Sequence, residues 1–266
     1  MSVIDRPLVH PERKATRFQP IKAWKHFRKL VADKEDTEQV FHIIEALNGR
    51  RNHQRAIDFI ASDKGQALMR QNNDIPSMLD DHARWADCGS NTVAQHYIRF
   101  MTREGLSAAG LVEESLKWKP ADQRPQDQLE WYFERLRDTH DLFHVLTGYG
   151  RDALGEGCLL GFSYEQNPNL GVLFICYAGN REMRKQTGTR APLLEALREG
   201  RRLGRAAEKL AQQEVESLMR EDIDEARRRL NIGKPEIYRQ CLEILESEGH
   251  MAEDLMGQEM MQAKAA

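Results

Sequence analysis

The residues best suited to chemistry lie between His140 and Glu156. His140-Asp141-Leu142-Phe143-His144 places two imidazoles and a carboxylate at positions i, i+1 and i+4. On a helix turning about 100° per residue, these three side chains fall within roughly one 100° arc. Leu129, Tyr132, Phe133, Leu136, Phe143 and Leu146 recur at steps of three and four along the same predicted helix, so the histidines lie on or beside its buried stripe. Polarity turned inward is costly unless something pairs with it, and a divalent cation is one such partner. The competing reading is a core histidine bonded to a neighbour. A histidine pair enclosing an acid at this spacing arises less often by chance than a single buried histidine.

Thr147-Gly148-Tyr149-Gly150 holds turn and helix-stop residues. Asp152 is a candidate N-cap for a second helix with Glu156 in its early turns. A helix–turn–helix hairpin would return Glu156 against the His140/His144 face. Gly155, Gly157 and Gly161 would let its two backbones come close. Two imidazoles with one or two carboxylates suit zinc, iron(II) or manganese. In His-Glu-x-x-His metalloproteases a glutamate follows the first histidine, whereas Asp141 stands here. Helical His-Asp phosphohydrolases need a further histidine upstream, a role His82 or His96 could be pressed into, and an aspartate far downstream.

The rest of the chain supplies the scaffold. Its 266 residues suffice for a full core. The net charge of −3 with 30 % charged residues points to no nucleic-acid partner. Cys88, Cys158, Cys176 and Cys241 form no C-x-x-C pair, which argues for a reducing compartment and against a cysteine metal site. No run reaches the roughly 18 apolar residues of a membrane span, and none resembles the apolar region of a signal peptide. No alternating strand pattern survives, so the predicted fold is all-α, a single-domain multi-helix bundle with a metal-binding helical hairpin. Residues 1–19 read as a flexible arm, 20–250 as the domain and 251–266 as a tail. Within the domain, Asp36 or Thr37, Ser90 or Asn91, and Asn167-Pro168 are candidate helix starts.

Three further stretches carry candidate roles. Ile21, Trp24, Phe27, Leu30 and Val31 interleave with Lys22, Lys25, Arg28 and Lys29. That pattern is a basic amphipathic helix, docked on the core or resting on an anionic membrane. The run Leu170 to Gly179 is nearly all apolar, which marks a helix buried in the core, at a subunit contact or along a lipid tail. Arg198, Arg201, Arg202 and Arg205 gather on one side of a later helix, either as a solvated face or as an anion site.

His140-Asp141-x-x-His144, eleven residues and then Glu156 resembles the signature of the coenzyme Q biosynthesis protein 4 family. Leu197-Arg198-Glu199-Gly200-Arg201-Arg202-Leu203-Gly204-Arg205 is similar to that family's basic helix. Ala226-Arg227-Arg228-Arg229-Leu230-Asn231-Ile232 is similar to its closing helix, and Tyr97-Ile98-Arg99-Phe100-Met101 to the segment before the hairpin. The likeness spans about residues 60 to 235; residues 1–35, the tail after Pro235 and a missing C-terminal tryptophan depart from it. The resemblance implies work in ubiquinone biosynthesis: removal of the C1 carboxyl of a polyprenylated hydroxybenzoate, with a hydroxyl taking its place. It implies a divalent metal on His140, Asp141, His144 and Glu156, with zinc favoured and iron(II) the alternative if oxygen is activated. Arg201, Arg202, Arg205, Phe174 and Tyr177 are then the substrate contacts. The implied setting is a homo-oligomer, associated with other ubiquinone enzymes. It would sit peripherally on the inner face of a bacterial membrane, or on the matrix side in a mitochondrion. The rival reading is a non-catalytic lipid-binding scaffold with a structural metal site.

Overall fold

The computed structural model describes residues 2–14, 17–33, 36–48, 50–71 and 73–250. The expected 251–266 tail lies outside the described residues. In chain order the helices are α1 (Pro20–Ala32), α2 (Thr37–Ala46), α3 (Arg50–Ile60), α4 (Asp63–Gln71), α5 (Ile75–Asp80), α6 (Val93–Glu104), α7 (Ala108–Trp118) and α8 (Gln128–Asp138). They continue as α9 (His140–Thr147), α10 (Ala153–Gln166), α11 (Leu170–Thr187), α12 (Leu193–Ala206), α13 (Val215–Arg220), α14 (Ile223–Arg229) and α15 (Glu236–Ser247). Among the described residues the only extended pairing is an isolated bridge between Thr92 and Asp222, so the all-α expectation holds.

The helices gather into two compact units, each made of three separate stretches of chain. The first takes residues 1–15, 50–146 and 208–231. One of its cores joins Ala56, Phe59, Ile60, Leu68, Met69, Leu129 and Tyr132. The arm expected over 1–19 is docked over its described part. The amides of Gln128 and Leu129 bond the carbonyls of Pro7 and Leu8, and Arg13 bridges Asp127 and Glu130 at 2.7 and 2.8 Å. Asp127 also caps α8, accepting the Glu130 amide at 2.7 Å. Burial alone would raise its carboxyl pKa, but the Arg13 guanidinium and two amides outweigh that and hold it low.

The second unit takes residues 16–49, 147–207 and 232–266. Ala23, Phe27, Ile43, Ala46, Leu47 and Ile175 form one cluster between α1, α2 and α11. Its closest helix pair is α10 with α12. A methyl group on Gly200 would lie 2.5 Å from the Cys158 carbonyl oxygen, and one on Gly204 would lie 2.3 Å from that of Phe162. The glycines expected to serve the hairpin, Gly157 and Gly161, also face α12, at Leu197 and Arg201.

Local chemistry moved several helix ends. The single helix expected across 129–146 is broken at Thr139, whose φ/ψ is −98/3°. The Thr139 hydroxyl donates to the Arg135 carbonyl at 2.8 Å, competing with the helical ladder. Thr92, rather than Ser90 or Asn91, caps α6, because the Asn91 amide is drawn to Asp222 at 2.7 Å. The helix expected from Asn167-Pro168 begins instead at Leu170, where the Asn169 carboxamide accepts the Gly171 amide at 2.7 Å.

Gly179 sits inside α11 with no atom within 4 Å of an added methyl. Helix propensity therefore favours Gly179→Ala by about 1 kcal/mol. At Gly204 that gain is outweighed by backbone overlap costing about 1–3 kcal/mol or more. Urea unfolding should show Gly179→Ala stabilised and Gly204→Ala destabilised relative to the parent chain.

Candidate metal centre

Within the first unit, α9 gathers His140, Asp141 and His144 so that one potential ligand atom from each lies within 4.8 Å of the others. A cation bound at about 2.1 Å would draw such donors to roughly 3–3.5 Å, a change within reach of side-chain rotation. The two imidazoles meet edge to face, with centroids 5.1 Å apart. His144 is buried, and Phe100 of α6 stacks on it at 5.5 Å and 20°. The far end of α9 is capped from α14, where Arg227 donates to the carbonyls of Val145 and Leu146, both at 3.0 Å. A guanidinium there satisfies carbonyls the helix cannot pair and offsets the negative end of its dipole.

Tyr97 on α6 belongs to this neighbourhood, and the sequence marks it only as part of the segment before the hairpin. It is 0 % exposed, and its hydroxyl has no hydrogen-bond partner among the described residues. Burial pushes its phenol pKa up, and the carboxylates of Asp141 and Asp80 push the same way. Asp80 is engaged elsewhere, accepting the Ala108 and Ala109 amides at 2.7 and 2.9 Å. A sequestered hydroxyl of this kind costs about 1–3 kcal/mol unless something bonds it. Together with the His/Asp/His donors, it marks a place fitted for a bound group.

Glu156 lies in the second unit, in the first turn of α10. Asp152 caps that helix, accepting the Leu154 and Gly155 amides at 3.1 and 2.9 Å. The Tyr238 hydroxyl donates to its second oxygen at 2.5 Å. The Glu156 carboxylate is partly exposed and lies 3.8 Å from the Arg151 guanidinium.

The arginine face of α12 is less open than its sequence suggests. Glu165 of α10 accepts from Arg201 at 2.6 and 2.8 Å and from Arg205 at 3.0 Å. Arg201 also donates to the Tyr177 hydroxyl at 3.0 Å. Arg202 is exposed. An incoming anion at Arg201 therefore competes with a carboxylate already in place. Phe174 lies with α1 instead, its ring 5.2 Å from Phe27 and 6.3 Å from Trp24. Ile21 and Trp24 of α1 and Leu170 of α11 are 74, 52 and 48 % exposed, and Lys25, Arg28 and Lys29 of α1 are exposed as well. No helix among the described residues is long and apolar enough to cross a membrane.

The family model for coenzyme Q (ubiquinone) biosynthesis protein Coq4 matches residues 36–236. A mitochondrial ubiquinone biosynthesis protein COQ4 of Ajellomyces capsulatus is 25 % identical over 203 residues, covering 75 % of this chain and 69 % of its own. A mitochondrial COQ4 homolog of Aedes aegypti is 26 % identical over 178 residues, 64 % of this chain and 60 % of its own. The crystal structure of a protein from Nostoc punctiforme assigned to ubiquinone biosynthesis superposes with a TM-score of 0.58 at 20 % identity. It covers 80 % of this chain and 98 % of that one, a likeness of fold.

Burial raises the Glu165 carboxyl pKa, but Arg205 and Arg201 more than offset this and leave it below the usual range. A depressed carboxylate contributes stability above its unfolded pKa, about 4.3, and loses it as pH falls through the folded value. Glu165→Gln should therefore be less stable than the parent by about 1–2 kcal/mol at pH 7. In denaturant titrations the difference should close toward pH 3.

Proposed function

The chain belongs to the coenzyme Q (ubiquinone) biosynthesis protein Coq4 family, and on that premise we propose that it carries out a metal-dependent, oxidative C1 decarboxylation of a polyprenylated hydroxybenzoate. The observation that carries the reading is the convergence of His140, Asp141 and His144 on one helix, with one potential ligand atom from each within 4.8 Å of the others. Glu156 is added as a fourth ligand by the family resemblance. A bound divalent ion supplies Lewis acidity toward the carboxylate or phenolate of the substrate. Zinc would suit that role, while iron(II) would suit the added use of dioxygen as a two-electron oxidant, reduced to hydrogen peroxide as carbon dioxide leaves and water supplies the new hydroxyl.

The protein's own groups bind and orient. Phe100 and the buried side of α6 keep the His144 ring fixed and dry, which strengthens every polar contact made there. Arg202 and Arg205 draw the anionic head group, and Arg201 joins them on giving up part of its hold on Glu165. Phe174 and Tyr177 flank the prenyl tail. Ile21 and Trp24, on the same helix as Lys25, Arg28 and Lys29, and the exposed Leu170 of α11 would rest on the anionic membrane in which such a tail dissolves. That placement fits the inner face of a bacterial membrane or the matrix side of a mitochondrial one. The other ubiquinone enzymes are the natural partners there.

Elemental analysis of the purified chain should give about one divalent ion per protomer, with most of it lost in His144→Ala. The metal-loaded protein, supplied with a prenylated hydroxybenzoate under air, should release carbon dioxide. His140→Ala should cut the rate by on the order of 10²-fold or more, and nitrogen should abolish it. A chain that is inert with zinc and with iron, but whose loss disperses the other pathway enzymes, would establish the scaffold reading instead.

Co-sedimentation with phosphatidylglycerol vesicles tests the membrane face. Trp24→Glu should weaken binding by about tenfold or more, whereas vesicles of phosphatidylcholine alone should bind the parent chain poorly.

A further inference from the structure

Tyr97 and Phe100 are three residues apart on α6 and so project from the same face of that helix. Phe100 stacks on His144, which turns this face toward the metal-competent group of α9. Tyr97 is fully buried, its hydroxyl bonds no described atom, and the charge acting on it from this site is that of Asp141. The other nearby carboxylate, Asp80, has its oxygens on the Ala108 and Ala109 amides. A phenylalanine at this position would fill the same space without burying an unmet polar atom.

We infer that the Tyr97 phenol is the hydrogen-bond donor of this centre, serving an oxygen of the substrate or water that would bind the ion beside its protein ligands. The inference rests on the proposed metal site and names the ligand class it takes: a carboxylate or phenolate oxygen, with water in the resting state. Val93, Ala94 and Met101 of α6 are buried along with Tyr97 and Phe100, so the bond forms away from bulk water, where a charged acceptor gains most. The phenol remains protonated throughout and exchanges no proton with the ligand. It selects for an anionic oxygen and fixes its direction. Tyr97 is thus a specificity-determining contact rather than a further ligand to the ion.

The test uses the full-length chain loaded with cobalt(II), whose visible absorption reports its ligands, and 4-hydroxybenzoate as the probe. Tyr97→Phe should bind cobalt(II) within about twofold of the parent chain and bind 4-hydroxybenzoate about tenfold more weakly, the worth of one bond to a charged oxygen. Metal-free Tyr97→Phe should melt at the same temperature as the parent or higher, since an unmet hydroxyl has been removed. Equal probe affinity in the two proteins overturns the inference. So does a parent spectrum that millimolar 4-hydroxybenzoate leaves unmoved. A variant that melts lower, or fails to fold, assigns the hydroxyl to the core and also overturns it. Loss of cobalt affinity in Tyr97→Phe would make Tyr97 a support for Asp141 and reject the contact proposed. A parent chain that binds no cobalt removes the metal reading itself, and this inference with it.

Discussion

The structure depends on answering most of the polar atoms that its helices carry into the interior. Arg135 is buried in the first unit, where burial pulls its pKa down to about 10. It stays useful there because it donates to the carbonyls of Ala211 and Gln213, tying the 208–231 stretch to α8. In the second unit the buried Glu199 accepts the Ile237 and Tyr238 amides at the start of α15, the pole of that helix that favours an anion. Gln166 donates to the carbonyl of Gly204 at 2.7 Å, where α12 is running out of internal partners. Against this background the Tyr97 hydroxyl is out of keeping with its surroundings, and that contrast gives it weight.

The same constraint explains what could be read from the sequence. The His140–Asp141–His144 set was legible because its geometry is local: a helix and a spacing suffice to place three donors on one arc. Capping was legible in kind but not in register. Asn91 and Asn169 are both good caps, yet Asn91 is recruited by Asp222, more than a hundred residues away, and Thr92 takes its place. The break at Thr139 turns on one hydroxyl choosing one carbonyl, a competition that periodicity does not register.

Pairings between distant stretches were not legible at all. Four arginines on one helix face read as free charge until Glu165 meets two of them from another helix. The glycines of α10 read as the inner side of a hairpin, whereas Gly157 and Gly161 face α12 and answer to Leu197 and Arg201. Tyr97 was hidden for a different reason. Its ring obeys the apolar rule so well that the hydroxyl goes unnoticed until its lack of a partner can be seen.

The docking of residues 2–14 on α8 bears on the order in which this protein matures. Arg13 and Asp127, which it grips, are 114 positions apart. At the usual pace of translation the arm waits about 6–23 s for its partner to be made. The first unit cannot close even then, because its last stretch ends at Asn231. Through that interval the backbone groups of Pro7 and Leu8 have no native partner, and Asp127 has still to be met by Arg13 once it is made. The nascent chain therefore carries this segment undocked, its backbone groups bonded to water, until the residues of α8 have been made.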